Sequence, residues 1–136
     1  MVKGTQFKNY RKTGLPKSSI RIFSAQDADE LLFLDIDANK PEGSSNFDEL
    51  LNILSYAAEE CFIPLAAGGG IDSIEKVREL LKIGADKVVI NSATVTNPQL
   101  INKVVDLIGS QSLVAAIDYK YTNGVPIVWT NSGSVK

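Results

Sequence analysis

Histidine is absent from the 136 residues of this chain, and cysteine occurs once. Histidine is the commonest metal ligand and the commonest general base, so its absence argues against most zinc sites and against histidine-dependent catalysis. The single cysteine, Cys61, cannot form an internal disulfide, which is typical of a reducing compartment. We therefore expect a cytoplasmic protein that carries no metal ion and no cofactor.

Excess charge and long apolar runs are missing as well. A net charge of −2 and a pI of about 5.1 leave no basic field to attract nucleic acid or an anionic membrane. The longest apolar runs, such as Leu31–Leu34 and 113–117, are far too short to span a bilayer. The first residues lead into polar sequence rather than into the apolar core of a signal peptide. We expect neither a nucleic-acid partner nor a membrane partner.

Short apolar runs alternate with amphipathic stretches, the pattern of βαβ units and a parallel sheet. Helices are predicted to begin at Pro16, Asn46, Asp72 and Pro98, the first of them covering 16–26 with Ile20, Ile22 and Phe23 as its apolar side. Asn46 with Glu49 and Asp72 with Glu75 resemble capping boxes, and Gly84 is expected to end the third helix. The strands are predicted at 30–38, 61–67, 87–91 and 113–118, followed by a hairpin over 119–129 that turns at Asn123-Gly124. The expected fold is a single α/β domain over 1–136, with both faces of the strand at 30–38 covered.

The carboxyl ends of the strands are where such folds place their active sites. Gly68, Gly69 and Gly70 close one predicted strand and precede a helix, so their backbone can approach an anion closely. Asn91-Ser92 ends the next strand and adds hydrogen-bond donors beside the same place. A phosphate site built from both loops is favoured over a tight turn that merely requires glycine.

Carboxylates occupy the neighbouring strand ends. Asp118 follows an apolar strand and is expected at the mouth of the sheet, where it shuttles protons, or else caps a loop or pairs with Lys120. Asp35 and Asp37 are predicted on the same side of their strand, with at least one of them at a wet rim, because two unpaired charges in a dry interior are costly.

The opposite strand ends carry Asp29, Glu30, Asp86 and Lys87, which on physical grounds are solvated charges. Cys61 is expected to be a small apolar core residue, since no histidine is available to activate it. Trp129 and the hairpin tyrosines are expected to pack the hairpin rather than to stack on a ligand.

Five ordered blocks of this sequence resemble one protein family. The blocks are Val2-Lys3-Gly4 with Phe7, DELLFLDIDA at 29–38, IPLAAGGGI at 63–71, GADKVVINSATVTNPQLI at 84–101 and GSQSLVAAIDYK at 109–120. Together they resemble the cyclase subunit of imidazole glycerol phosphate synthase, an enzyme of histidine biosynthesis. Asp37 and Phe7-Lys8-Asn9 are similar to the paralogues associated with surface-polysaccharide (O-antigen) amidation.

The resemblance implies a (β/α)8 barrel with a twofold half-barrel repeat and a phosphate site in each half. A glutaminase partner feeds ammonia through the bottom of the barrel, and the cyclase uses it to close an imidazole ring. By this resemblance, Gly69, Gly70, Asn91 and Ser92 bind a substrate phosphate, and Asp118 is one of two catalytic aspartates. Lys3 belongs to a mobile loop over the mouth. Glu30 and Lys87 belong to the charged ring where ammonia enters.

Several features of the family are not among these residues. The family's first strand, with the other catalytic aspartate, precedes the Val2-Lys3-Gly4 block, and three later strands with the second phosphate site follow the end of this chain. Asp37 stands where threonine is usual, and Val89 where a small polar residue is usual.

We therefore expect a partial barrel, strands two to five, that is incomplete as an enzyme on its own. The alternatives are a non-catalytic half-barrel that binds phosphate or serves assembly, and an inactive truncated product. Open sheet edges and an uncovered apolar face predict self-association or pairing with a second half-barrel.

Overall fold

The computed structural model describes residues 1–5, 8–38, 47–130, 133 and 135. The strands are β1 (Val2–Thr5), β2 (Lys8–Lys12), β3 (Leu31–Leu34), β4 (Leu65–Gly68), β5 (Lys87–Ile90), β6 (Leu113–Ala115), β7 (Asp118–Thr122) and β8 (Val125–Trp129). The helices are α1 (Pro16–Ala25), α2 (Phe47–Glu60), α3 (Ile74–Ile83), α4 (Ala93–Thr96) and α5 (Pro98–Ile108), with a 3-10 turn at Ser110–Ser112.

The central sheet is parallel, and its strands lie side by side in chain order, β3-β4-β5-β6. A doubly wound sheet reverses its strand order at a switch point, whereas a barrel adds each strand beside the one before it. The order seen here is that of a barrel arc. The predicted class, a partial (β/α)8 barrel, is confirmed.

Alternate residues of this sheet point to two different environments. One set packs against the helices: Leu31, Phe33, Leu65, Ala67, Val88, Ile90 and Leu113. The other set forms what we call the inner face: Leu32, Leu34, Ala66, Gly68, Val89 and Val114. Leu32 and Leu34 are 54% and 48% exposed. The prediction that both faces of the strand at 30–38 are covered is therefore wrong for the described residues, because the helices cover only one of them.

The core lies between the sheet and the helices. Most of its fully buried side chains come from α2, α3, β5 and α5, and they include Leu54, Val77, Leu80, Val88 and Val104. Burying each such side chain stabilises the fold by about 1.5–3 kcal/mol. Helix α1 adds only Ile20, so the predicted apolar side of this helix is confirmed for Ile20 and wrong for Ile22 and Phe23, which are 54% and 44% exposed. Ile22 lies about 200° around the helix from Ile20, which turns it toward solvent.

The strands are shorter than predicted because local hydrogen bonds end them. Strand β3 stops at Leu34, and Asp35 then accepts a bond from the backbone N–H of Asp37 at 2.9 Å, which bends the chain into a turn. Asp35 and Asp37 thus lie on a turn, not on one side of a strand. Cys61 continues the bonding of α2 through the Ala57 carbonyl, so β4 begins only after Pro64.

The structure tests three predictions about helix ends and turns. Ser73, not Asp72, caps α3, since the Ser73 hydroxyl accepts from the Lys76 N–H. Gly84 ends α3 with a φ of 123°, as predicted. Asn123 and Gly124 have φ of 52° and 78° and join β7 to β8, which confirms the predicted hairpin.

Three further points complete the description of the fold. The antiparallel pair β1–β2 was not predicted, because its residues show little apolar alternation. The predicted cap at Asn46 lies outside the described residues. Among the helices described, none is both long enough and apolar enough to cross a membrane.

Candidate functional site

The glycine turn after β4 is held against the turn after β3. Gly69 and Gly70 have φ of 107° and 62°, conformations that side chains rarely adopt. A Cβ on Gly69 would collide with the backbone of Asp35, and one on Gly70 would lie 2.5 Å from the Cβ of Ala38. Both positions therefore require glycine for space as well as for conformation.

The turn after β5 presents Asn91 and Ser92 beside the glycine turn. The Asn91 carbonyl accepts from the N–H of Thr94 at 2.9 Å and from its hydroxyl at 2.7 Å. The Ser92 carbonyl accepts from the N–H of Thr96 at 3.0 Å. With its carbonyl engaged in the turn, Asn91 directs its side-chain amide across the sheet.

That amide reaches Asp118. Asn91 Nδ2 donates to Asp118 Oδ2 at 3.0 Å, in partly buried surroundings. Lys120, proposed as an alternative partner for Asp118, instead lies with Nζ 4.3 Å from the centroid of the Trp129 ring. The hydrogen bond places the carboxylate at the pocket, where the sequence predicted it.

A cavity of about 330 Å³ lies at the carboxyl ends of the parallel strands. The structure brings all five predicted phosphate and catalytic residues to its wall: Gly69, Gly70, Asn91, Ser92 and Asp118. Sequence reasoning missed several other lining residues, among them Ala38, Ile71, Asp72, Ala93 and Thr96. Asp72 was taken for a helix cap, although its four-residue spacing to Lys76 is a recognisable signal for an ion pair.

The charged residues that line this cavity are all carboxylates among those described: Asp35, Asp72 and Asp118. Lys76 lies just outside, with Nζ 2.8 Å from the Gly70 carbonyl and 3.1 Å from Asp72 Oδ1. The groups at the cavity that would favour an anion are backbone N–H groups and the Asn91 amide, and this ammonium lies beside them.

The predicted gate residues meet at the opposite end of the sheet. Lys87 Nζ and Glu30 Oε2 are 2.8 Å apart, with both side chains about one-third exposed. Lys87 begins β5 at an inner-face position, two residues before Val89. The pair therefore lies at the amino ends of the strands on the inner face, apart from the cavity. Asp86 is exposed, as predicted, and its carboxylate also accepts from the Leu65 N–H at 2.8 Å.

The remaining predictions have mixed outcomes. Cys61 is 7% exposed and belongs to the core, as expected. Tyr119 and Tyr121 contact each other edge to face at 5.6 Å and are exposed rather than packed down. Lys3 lies on β1, and its side chain is outside what the structure describes, as is Phe7. Within the described ranges, no three acidic, histidine or cysteine side chains cluster in a way that suits a metal ion.

Fold and site together define a partial (β/α) barrel with a polar pocket at the carboxyl ends of its parallel strands. The family model described as "Histidine biosynthesis protein" matches residues 1–136, and the chain belongs to that family.

Relatives identify the branch of the family that the chain resembles. It is 41% identical over 133 residues to the imidazole glycerol phosphate synthase subunit HisF of Pyrococcus furiosus, covering 98% of this chain and 51% of that protein. The HisF of Dictyoglomus turgidum is 49% identical over 120 residues, 88% of this chain and 46% of the relative. The HisF of Methanocaldococcus jannaschii is 44% identical over 138 residues, which cover 100% of this chain and 49% of the relative. The chain spans about half the length of the curated relatives it matches.

Proposed function

We propose that this chain provides one phosphate subsite and one catalytic carboxylate of an imidazole glycerol phosphate synthase cyclase. The observation that carries the proposal is the single cavity that gathers Gly69, Gly70, Asn91, Ser92 and Asp118. Backbone N–H groups of a glycine turn before a helix are suited to a phosphate. A carboxylate beside that phosphate is suited to move protons while ammonia adds and the ring closes.

Asp118 has the support that such a role needs. Its Oδ2 is held by Asn91, which also lines the phosphate region, so the carboxylate keeps a fixed position relative to the bound substrate. Fixed geometry of this kind supplies a large part of the rate of an enzyme.

A glutaminase subunit is the proposed source of ammonia. The support is the Glu30–Lys87 pair, which is placed on the inner face at the end of the sheet away from the cavity. Ammonia entering between these charges would travel along the inner face toward Asp118.

The test uses a chimera in which residues 1–136 replace the matching segment of the M. jannaschii relative. We expect ring closure with ammonium salts, and a fall in kcat of about 10²- to 10⁴-fold in Asp118→Asn. Asp106→Asn, an exposed acid on α5, is the matched control. Full activity of the Asp118→Asn chimera would show that the base lies elsewhere.

The surface-polysaccharide amidation paralogue is the alternative substrate class, supported by Asp37. The N–H of Asp37 is bonded to Asp35, a lining residue of the cavity. If Asp37 selects an amidation substrate, the Asp37→Thr substitution in the chimera should raise the rate of imidazole ring closure. An unchanged rate would count against this alternative.

Assembly with another half-barrel is a second candidate function, favoured by the inner face. Leu32, Leu34 and Val114 are 54%, 48% and 37% exposed, and a groove of about 420 Å³ follows the open edge of β3. A second four-stranded arc of this family would cover both features and remove the open edges. We expect a dimer by native mass spectrometry at micromolar concentration, weakened by Leu32→Lys but not by Ile22→Lys on α1. A monomer under these conditions would contradict it.

A further inference from the structure

Lys76 contacts two lining residues of the cavity, Gly70 and Asp72, and the ring of Phe47 at the start of α2. Its Nζ donates to the Gly70 carbonyl at 2.8 Å and to Asp72 Oδ2 at 3.2 Å, and it lies 5.6 Å from the centroid of the Phe47 ring. The side chain is only 31% exposed, so these contacts hold it in a partly buried position.

The bond to Gly70 fixes the orientation of one peptide group. In a trans peptide the carbonyl and the following N–H point in opposite directions, and none of the described peptide bonds is cis. Because the Gly70 carbonyl points at Lys76, the N–H of Ile71 points away from it. Gly70 and Ile71 both line the cavity, so of the two polar groups of this peptide the carbonyl oxygen, which would repel an anion, is engaged by Lys76, and the N–H donor is left for a ligand.

The ion pair with Asp72 has a second effect. Asp72 is one of three lining carboxylates, and an uncompensated negative charge beside a phosphate opposes binding. The ammonium group at 3.1 Å offsets that charge without entering the cavity.

We infer that Lys76 is a positioning residue of the phosphate subsite, which it prepares by fixing the Gly70–Ile71 peptide and by neutralising Asp72. The inference rests on the proposed function, since it assumes that the cavity binds phosphate. The inference goes beyond the proposed function because it assigns a role to Lys76, a side chain that does not line the cavity.

The experiment is a titration of the full 136-residue chain with inorganic phosphate, followed by amide chemical shifts at Gly69, Gly70 and Ile71. We expect Lys76→Met to bind phosphate about three- to tenfold more weakly, less than the loss of a direct charged hydrogen bond, because Lys76 acts on the phosphate through Gly70 and Asp72. Lys76→Arg keeps the charge and a donor and restores most of the affinity. Lys82→Met, in the last turn of α3 and exposed, leaves it unchanged.

Each outcome decides something. Affinity of Lys76→Met within twofold of the natural chain would overturn the inference while leaving the proposed function intact. Loss of affinity in Lys76→Met without recovery in Lys76→Arg would also overturn it, since a packing defect would then explain the loss. A natural chain whose signals stay unmoved at millimolar phosphate would overturn the proposed function, and the inference with it.

A second variant covers the case in which Lys76→Met does not fold. Asp72→Asn removes the opposing charge and leaves Lys76 bonded to Gly70, so it should bind phosphate more tightly than the natural chain. Equal or weaker binding would contradict the role of the ion pair.

Discussion

The side-chain amide of Asn91 joins the phosphate side of the pocket to its acid, donating to the carboxylate of Asp118 at 3.0 Å. Asn91 follows β5, and Asp118 begins β7, so this bond spans 27 positions of the chain. One residue thus serves both the proposed binding subsite and the proposed catalytic group.

Replacing Asn91 should therefore reduce binding and turnover together. Asn91→Ala removes the donor from a charged acceptor, a bond whose loss corresponds to about 10- to 100-fold in kcat/KM of the chimera. Asn102→Ala, exposed on α5, is the control. A change in KM with unaltered kcat would show that Asn91 acts on binding alone.

The glycine turn should tolerate no side chain. Gly69→Ala meets the Asp35 backbone at a φ of 107°, so we expect a loss of about 1–3 kcal/mol of unfolding free energy and of phosphate binding. Gly14→Ala, whose Cβ would make an ordinary contact of 3.8 Å with Ser19, is the matched variant. Urea unfolding followed by circular dichroism measures the unfolding free energy of both variants, and a phosphate titration measures their binding. Equal midpoints for the two variants would show that the turn relaxes freely.

Substituting alanine for a core leucine should cost much more unfolding free energy than the same substitution at a surface leucine. Leu54 is fully buried on α2, and Leu54→Ala is expected to lower the unfolding free energy by about 2–5 kcal/mol. Leu107 is 41% exposed on α5, and Leu107→Ala should lose well under half as much. The comparison by urea unfolding tests the assignment of the core, and similar losses at both sites would refute it.

The Glu30–Lys87 pair should matter more to ammonia delivery than to stability. Both side chains are about one-third exposed, so Lys87→Met is expected to cost no more than about 1 kcal/mol. With a glutaminase subunit bound to the chimera, glutamine-driven turnover should fall severalfold while turnover with added ammonium salts is kept. Lys103→Met on α5 provides the comparison, and an equal fall with both ammonia sources would argue against a gate.

Residue patterns predicted the alternation of elements because amphipathic stripes and apolar runs report directly on burial. They also placed the glycine turn and Asn91 at strand ends, since parallel strands bring those ends together. The predicted strands are too long, because an apolar run does not show where a side chain such as that of Asp35 accepts a hydrogen bond from a nearby backbone N–H and starts a turn. The role of Ser73 was missed because serine and aspartate are both common N-cap residues; in the structure Ser73 caps α3, and Asp72 pairs with Lys76.

The inner face marks the limit of pattern reasoning. A run such as that of β3 is typical of a strand covered on both sides, yet Leu32 and Leu34 are exposed here. An apolar run predicts that both faces of a strand are suited to burial. It does not show which part of a protein, or which partner, covers each face.

The strand order β3-β4-β5-β6 also bears on how the chain reaches its fold. Within this sheet each strand after β3 pairs with the strand before it, but the paired residues, such as Leu31 with Leu65 and Ala66 with Lys87, are separated by a whole helix. Each pairing must therefore close a long loop before it forms, which slows folding. During synthesis, every newly emerged βα unit finds its docking edge already formed. We therefore expect assembly from the amino-terminal end, one unit at a time.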